Sequence, residues 1–326
     1  MTERLAALDV GTNSTRLLVA DVADGAVVAE LTREMVITRL GKGVDRTGRF
    51  DPAALARTLE VLAGYAETCR RLGVERRRLV ATSATRDAAD RQVFLDGVRD
   101  LLGVEPEVLS GRAEAAAAYR GATAGGVRSG GVDPRTGGPG PDGDQATLVV
   151  DIGGGSTELI LGDGGAASAM VSLDIGCVRL FERHLHSDPA APTEVAALRA
   201  DVAAHLGRVA EVLDPAAADR VVGVAGTVTT VAAIALGLEA YDPRRIHRAT
   251  VDAAGIAATA GKLAAMTVAE RAALPVMAKG REDVIAAGAL LLDELVRRFD
   301  LREVIASESD ILDGVLLGLA DDAHRG

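Results

Sequence analysis

Apolar and polar positions alternate in three short runs at the start of the chain, RLAALDV, TRLLVADV and AVVAELTREMVI, joined by turns rich in Gly, Asn and Asp. A period of two bounded by such residues predicts three strands in an antiparallel meander. The period then lengthens. Asp51-Pro52 reads as an N-cap followed by a first-turn proline, and Leu55, Leu59, Leu62 and Ala66 recur at helical spacing up to Gly73, so a helix is expected there. RLVATSATR predicts a short strand, 87–102 a helix, VEPEVLS another strand, and GRAEAAAAYRGA a helix begun at Ser110. Residues 124–144, AGGVRSGGVDPRTGGPGPDGD, break every period and offer no apolar face, so a flexible boundary loop is expected.

The pattern then restarts. ATLVVDI, STELILGD and AASAMVSLDI repeat the three-strand opening, and helices are expected at 178–186 and 192–213. The strand DRVVGVAG runs into TVTTVAAIALG, helices follow at 254–266 and 281–299, and REVIASESDILDGVLLGLA predicts a last strand and helix. With 326 residues the chain suits two domains, each large enough for its own core. The expected division is 1–123, the loop 124–144 and 145–306, with the C-terminal helix at about 307–322 a candidate to pack back on the first domain. The fold class is α/β, with two similar domains facing each other across a cleft lined by the repeated turn.

That turn carries the chemistry. Asp9, Gly11, Ser14, Thr15, Leu17 and Asp21 coincide without gaps with Asp151, Gly153, Ser156, Thr157, Leu159 and Asp163. A glycine turn between two strands aims successive backbone N–H groups at one point and lets an oxyanion approach closely. The aspartate ending the first strand is placed to hold Mg²⁺ or its waters against phosphate rather than phosphate itself. GVAGTVTTV adds a third turn, Gly226-Thr227, ahead of a helix whose N-terminus favours an anion. Neither a GxxxxGK[ST] loop nor a dinucleotide fingerprint is present, since the repeated turn joins strand to strand.

Composition narrows the partners. A net charge of −11 argues against nucleic acid and anionic membrane, so a polyanionic ligand has to be gripped by local cations and metal. No uncharged apolar run approaches the roughly 18 residues that span a bilayer, and MTERLAALDV lacks the apolar core of a signal peptide. Only Cys69 and Cys177 occur, without a CxxC, which fits a reducing cytoplasm. Five histidines, none at ligand spacing, leave any metal to carboxylates and hence to a hard cation such as Mg²⁺.

Read together, AALDVGTNSTRLLVAD, ATSATRDA, LSGRAEAAAAYRGA, VVDIGGGSTEL, SLDIGCVRLFERH, GVAGTVTT and REDVIAAGALLL resemble, in order and spacing, the exopolyphosphatase and guanosine pentaphosphate phosphohydrolase family, in its short two-domain form. The resemblance covers nearly the whole chain. It implies two duplicated actin-like domains of the sugar kinase, heat-shock and actin superfamily, ribonuclease H-like in topology, with an interdomain phosphate cleft. It makes Glu114 the general base and Asp151 and Glu158 the metal- and water-positioning carboxylates, with Asp9 a further metal-side candidate. Thr12, Asn13, Ser14 and Arg16 resemble a first phosphate loop, and Gly153, Gly154, Gly155, Ser156 and Thr157 a second. Gly226 and Thr227 belong to the third turn, Arg86 is a phosphate-binding cation, and Arg179 and Arg281 hold distal parts of the substrate. A homodimer is expected.

The activity implied is Mg²⁺-assisted hydrolysis of terminal phosphate from linear polyphosphate. The alternatives are hydrolysis of guanosine pentaphosphate, a kinase of the superfamily, and a non-catalytic binder of polyphosphate or alarmone. Two departures bear on rate and substrate. The family's usual second acid before the base is Ala113, and its usual Gly-Leu-Arg-Glu-Gly reads DILDG from Asp310 to Gly314, with Leu312 in place of a cation.

Overall fold

The computed structural model describes residues 2–124, 145–163 and 166–322. The expected boundary loop lies outside these residues apart from Ala124. The chain divides into two compact units, Met1–Gly140 with Asp310–Gly326, and Pro141–Ser309.

In the first unit β1 (Thr2–Val10), β2 (Ser14–Ala23) and β3 (Ala26–Ile37) pair antiparallel, as the alternation predicts. β4 (Arg76–Ala81) lies parallel to β1, and β5 (Glu107–Val108) parallel to β4, giving the order β3-β2-β1-β4-β5. Successive residues of β1 point to opposite faces, and both faces are covered. Ala6, Leu8 and Val10 enter a core with Leu62, Leu79 and Phe94, while Leu5 and Ala7 enter another with Leu312 and Leu316.

The helix Pro52–Leu72 starts where expected because the Asp51 carboxylate accepts the Ala54 N–H (2.9 Å), and it stops at Gly73, which takes φ 67°. Gly111–Thr123 starts on the Ser110 hydroxyl, which accepts the Ala113 N–H. The C-terminal helix Ile311–Asp322 crosses Gly111–Thr123 at two glycines. A Cβ on Gly121 would lie 1.7 Å from the Asp310 carbonyl oxygen, and one on Gly314 would lie 1.9 Å from that of Ala117. No side chain fits at either crossing point.

The second unit repeats this plan. β6 (Thr147–Ile152), β7 (Thr157–Asp163) and β8 (Ala166–Leu173) pair antiparallel, and β9 (Arg220–Val224) lies parallel to β6. β10 (Thr250–Asp252) and β11 (Glu303–Ala306) complete the order β10-β11-β9-β6-β7-β8. Taken from β8 inward, strands β8-β7-β6-β9-β11 match β3-β2-β1-β4-β5 in position and sense, which makes the two units duplicated α/β domains. The antiparallel edge strand β10 has no counterpart in the first unit and no signal in the hydrophobic pattern.

Several expected boundaries move. The helix expected at 87–102 runs Arg91–Leu102, because the short helix Ser83–Asp87 ends first and the Asp90 carboxylate accepts the Phe50 N–H instead of capping its own helix. The segment expected at 192–213 ends as an α-helix at Leu206 and continues as a single 3₁₀ turn, Val209–Glu211. The helix expected at 178–186 runs Cys177–His184, and the one expected at 281–299 runs Ile285–Arg298, leaving Arg281 in the turn before it.

Candidate active site

The turns that join β1 to β2 and β6 to β7 are built alike. Gly11 N–H donates to the Ser14 carbonyl at 2.9 Å, and Gly153 N–H donates to the Ser156 carbonyl at 3.0 Å. In each unit the segment after the third strand holds the turn from behind. Gly41 and Arg39 N–H groups donate to the Thr12 and Asn13 carbonyls (2.8 and 2.9 Å), whereas Cys177 and Val178 N–H groups donate to those of Gly153 and Gly154 (3.0 and 2.9 Å). A trans peptide points its C=O and the following N–H in opposite directions. The amides of Asn13, Gly154 and Gly155 are therefore turned away from the supporting segments, as anion recognition requires. Gly176 permits the close support in the second unit, since a Cβ there would lie 2.5 Å from the Gly154 carbonyl carbon.

The first turn is poised for a ligand. Asp9 Oδ1, Thr12 Oγ1, Asn13 Oδ1 and Thr85 Oγ1 are buried and have no hydrogen-bond partner among the described residues. Each such atom costs about 1–3 kcal/mol when left unsatisfied, a cost that a bound phosphate and its cation would relieve. Ser14 opens β2 directly after this turn.

Arg16, expected in the first phosphate loop, is tied to two carboxylates of its own unit. Its Nε and Nη2 donate to Asp9 Oδ2 (2.9 and 2.7 Å), and its Nη1 bonds Asp310. Asp310 Oδ1 also accepts the Leu312 N–H, and Asp313 Oδ2 accepts the Asp310 N–H, so the departure from the family motif forms a reciprocal cap on the last helix. Leu312 fills the core instead. Burial pushes the Asp9 carboxyl above the usual aspartate range, with Arg16 pulling the other way.

Glu114 lies in the first turn of Gly111–Thr123 and is 8% exposed. Arg86 Nη1 donates to its Oε2 at 2.6 Å and to the Leu109 carbonyl at 2.8 Å. Burial raises the Glu114 carboxyl above the usual glutamate range, Arg86 and a Thr82 hydrogen bond oppose the rise, and the charge of Asp9 adds to it. Arg86 is thus tied to the candidate base as well as being a candidate for phosphate. Thr82 and Asp310 were not singled out from the sequence. The second had a signal in the acid that DILDG places at its first position.

In the second unit Asp151 stands directly opposite Glu158 across β6 and β7, which puts both buried carboxylates on one face of the sheet. The Ser172 hydroxyl donates to Glu158 Oε1 at 2.7 Å. Arg179 lies in the first turn of Cys177–His184, half-buried, with its N–H on the Gly154 carbonyl (3.2 Å).

Three further expectations are corrected here. Thr157 is fully buried and its hydroxyl donates to the Ile175 carbonyl (2.7 Å), so it supports the turn from within and does not offer its hydroxyl to phosphate. Gly226 and Thr227 form no turn, because Ala225 takes φ 67° and the helix Ala225–Ala235 begins at once. The Thr227 hydroxyl packs against Gly288 and bonds the Cys177 thiol. Arg281, 7% exposed, lies across this helix start, and its Nη1 donates to the Gly226 carbonyl (2.7 Å) and to Thr230 Oγ1 (2.9 Å). A Cβ on Gly226 would meet its guanidinium at 2.1 Å, so that glycine serves Arg281.

Duplicated sheets with paired glycine turns define an α/β protein whose turns are candidates for holding phosphate. The model of the Ppx/GppA phosphatase family matches residues 18–323. Exopolyphosphatase 2 of Mycobacterium tuberculosis is 44% identical over 329 residues, covering 97% of this chain and 98% of that protein. A solved structure described as an exopolyphosphatase-like protein has a TM-score of 0.91 at 34% identity and covers 99% of both chains. A guanosine-5'-triphosphate,3'-diphosphate pyrophosphatase of Vibrio atlanticus is 38% identical over 181 residues, which are 55% of this chain and 33% of that protein. The chain belongs to the Ppx/GppA phosphatase family.

Proposed function

We propose that the protein is an exopolyphosphatase that removes the terminal phosphate of linear inorganic polyphosphate by in-line attack of water. The observation that carries this reading is Glu114, a buried carboxylate whose proton affinity is raised and which is held in one rotamer by Arg86. A base of that kind accepts a proton from water more readily than an exposed glutamate does. Backbone amides of the glycine turn in Glu114's own unit, such as that of Asn13, would neutralise the equatorial oxygens, and most of the rate would come from positioning and charge stabilisation.

The Asp151–Glu158 pair fits Mg²⁺, which takes one or two carboxylates and completes its shell with water and phosphate oxygens. When bound, Mg²⁺ would supply charge neutralisation at the phosphate. The absence of tryptophan and 2% aromatic content leave little for stacking a purine, which favours the inorganic chain over guanosine pentaphosphate. The buried thiols of Cys69 and Cys177 fit a reducing cytoplasm, and the expected homodimer is checked by light scattering.

Phosphate release measured on long polyphosphate, tripolyphosphate and guanosine pentaphosphate, each with Mg²⁺ and with chelator, tests the reading. Metal-dependent release from the inorganic chains is expected. Release from guanosine pentaphosphate alone would replace the substrate, and binding without release would replace the activity.

A further inference from the structure

The segment 39–49, RLGKGVDRTGR, carries four cations and one acid in a chain whose net charge is −11. It is also the segment that supports the first phosphate turn. Arg39 and Gly41 N–H groups hold the Asn13 and Thr12 carbonyls, and Gly41 is wedged so tightly that a Cβ there would lie 2.3 Å from Thr12 Cγ2 and 3.1 Å from Ala84 Cβ. Ala84 belongs to the short helix that carries Arg86. The backbone is compact beyond that point, with Arg39, Gly43 and Gly48 all at positive φ, the helix turn Val44–Thr47 between the two glycines, and Ala89 N–H on the Gly48 carbonyl. Lys42, Arg46 and Arg49 are exposed on this frame and form no salt bridge with any described residue.

Most arginines of the first unit are neutralised. Arg4, Arg16, Arg33, Arg76, Arg78, and Arg86 all pair with carboxylates. Lys42, Arg46 and Arg49 instead keep their charge in the segment that supports the phosphate turn, and a protein with a repelling long-range field needs such short-range contacts.

We infer that Lys42, Arg46 and Arg49 form a subsite on the first unit for the further phosphates of a linear polyanion whose end lies at the Thr12–Ser14 turn. This rests on the polyphosphate reading above. The contacts are remote from the reacting phosphate and bind ground and transition states alike, so they set KM and chain-length preference while leaving kcat alone.

The test compares the triple variant K42Q/R46Q/R49Q with a control of equal charge change at exposed helix positions of the same unit, R70Q/R71Q/R91Q. Kinetics are measured on long polyphosphate and on tripolyphosphate, and retention of long polyphosphate is measured in chelator, where no turnover is required. The first variant is expected to raise KM for the long chain by about tenfold, the sum of three exposed ion contacts, and to flatten its salt dependence. It should also lose retention of the long chain, with kcat and tripolyphosphate KM within about twofold. The control should behave as the parent. Parent-like KM and retention in the triple variant, or equal losses in the control, would overturn the subsite while leaving the exopolyphosphatase reading in place. A parent protein that releases no phosphate from either chain removes that reading, and the subsite with it.

Discussion

The hairpins β1–β2 and β6–β7 are two copies of one design that differ in charge at one cross-strand position beside the turn. Opposite Asp9 stands Arg16, and opposite Asp151 stands Glu158. In the first copy a guanidinium binds the aspartate and is itself bound by Asp310, so the charge is settled within the protein. In the second, two buried carboxylates face the same side of the sheet, and the Ser172 hydroxyl donates to Glu158. Duplication thus preserved the glycine turn, while the residue opposite its aspartate became a cation in one copy and an acid in the other.

The largest effect expected is at the base. Glu114→Gln should keep the fold and lower kcat by about 10²–10⁴, the usual contribution of a general base, with near-parental turnover counting against the assignment. Since burial raises the Glu114 carboxyl, the acid limb of the kcat/KM profile should lie above the ordinary glutamate range. Arg86 opposes that rise, so Arg86→Gln should move the limb to higher pH; a limb that stays put would assign the titration to another group.

Next comes the charge settled within the first unit. Arg16→Met leaves Asp9 and Asp310 buried without their cation and should destabilise the protein by about 3–5 kcal/mol in urea unfolding near neutral pH. The Asp9 carboxyl is already raised in the folded state, and removing Arg16 raises it further. A folded-state value above the unfolded one adds stability at low pH that is lost as pH climbs through the folded value. The deficit of the variant should therefore shrink as pH falls. A pH-independent deficit would mean that Arg16 contributes packing and not charge.

The comparison predicts a split between the two aspartates that is smaller in energy but more specific. Asp151→Asn should raise the Mg²⁺ needed for half-activity by about tenfold, as loss of a charged ligand does. Asp9→Asn should shift it by less, because Arg16 holds Oδ2 and only Oδ1 is left for a cation. Equal shifts would erase the division between the copies. Smallest is the change at the positions where the copies agree. Thr15 shares a hydrogen bond with Thr38, and Thr157 bonds Ile175, so Thr157→Val should cost about 1–3 kcal/mol of stability with kcat unchanged. A fall in kcat without a fall in melting temperature would return that hydroxyl to the phosphate.

The parts legible from the sequence are those governed by neighbours along the chain. Period-two runs set β1 to β3 and β6 to β8, Asp51 and Ser110 set helix starts, and the gapless repeat identified both turns, because each depends on residues a few positions apart. Helix boundaries failed where a cap was diverted, as at Asp90, whose carboxylate serves Phe50 forty positions away.

Side-chain partnership lay beyond such reading. Arg16 and Asp310 are 294 positions apart, Arg86 and Glu114 are 28 apart, and Arg281 lies over Gly226 at a distance of 55. The family resemblance assigned all three arginines to the substrate, and only the packed structure decided which carboxylate or carbonyl each one meets. The reason is physical. Backbone geometry is chosen by short-range sterics and hydrogen bonds written in consecutive residues, whereas a long charged side chain takes whichever partner the assembled sheets and helices bring within reach.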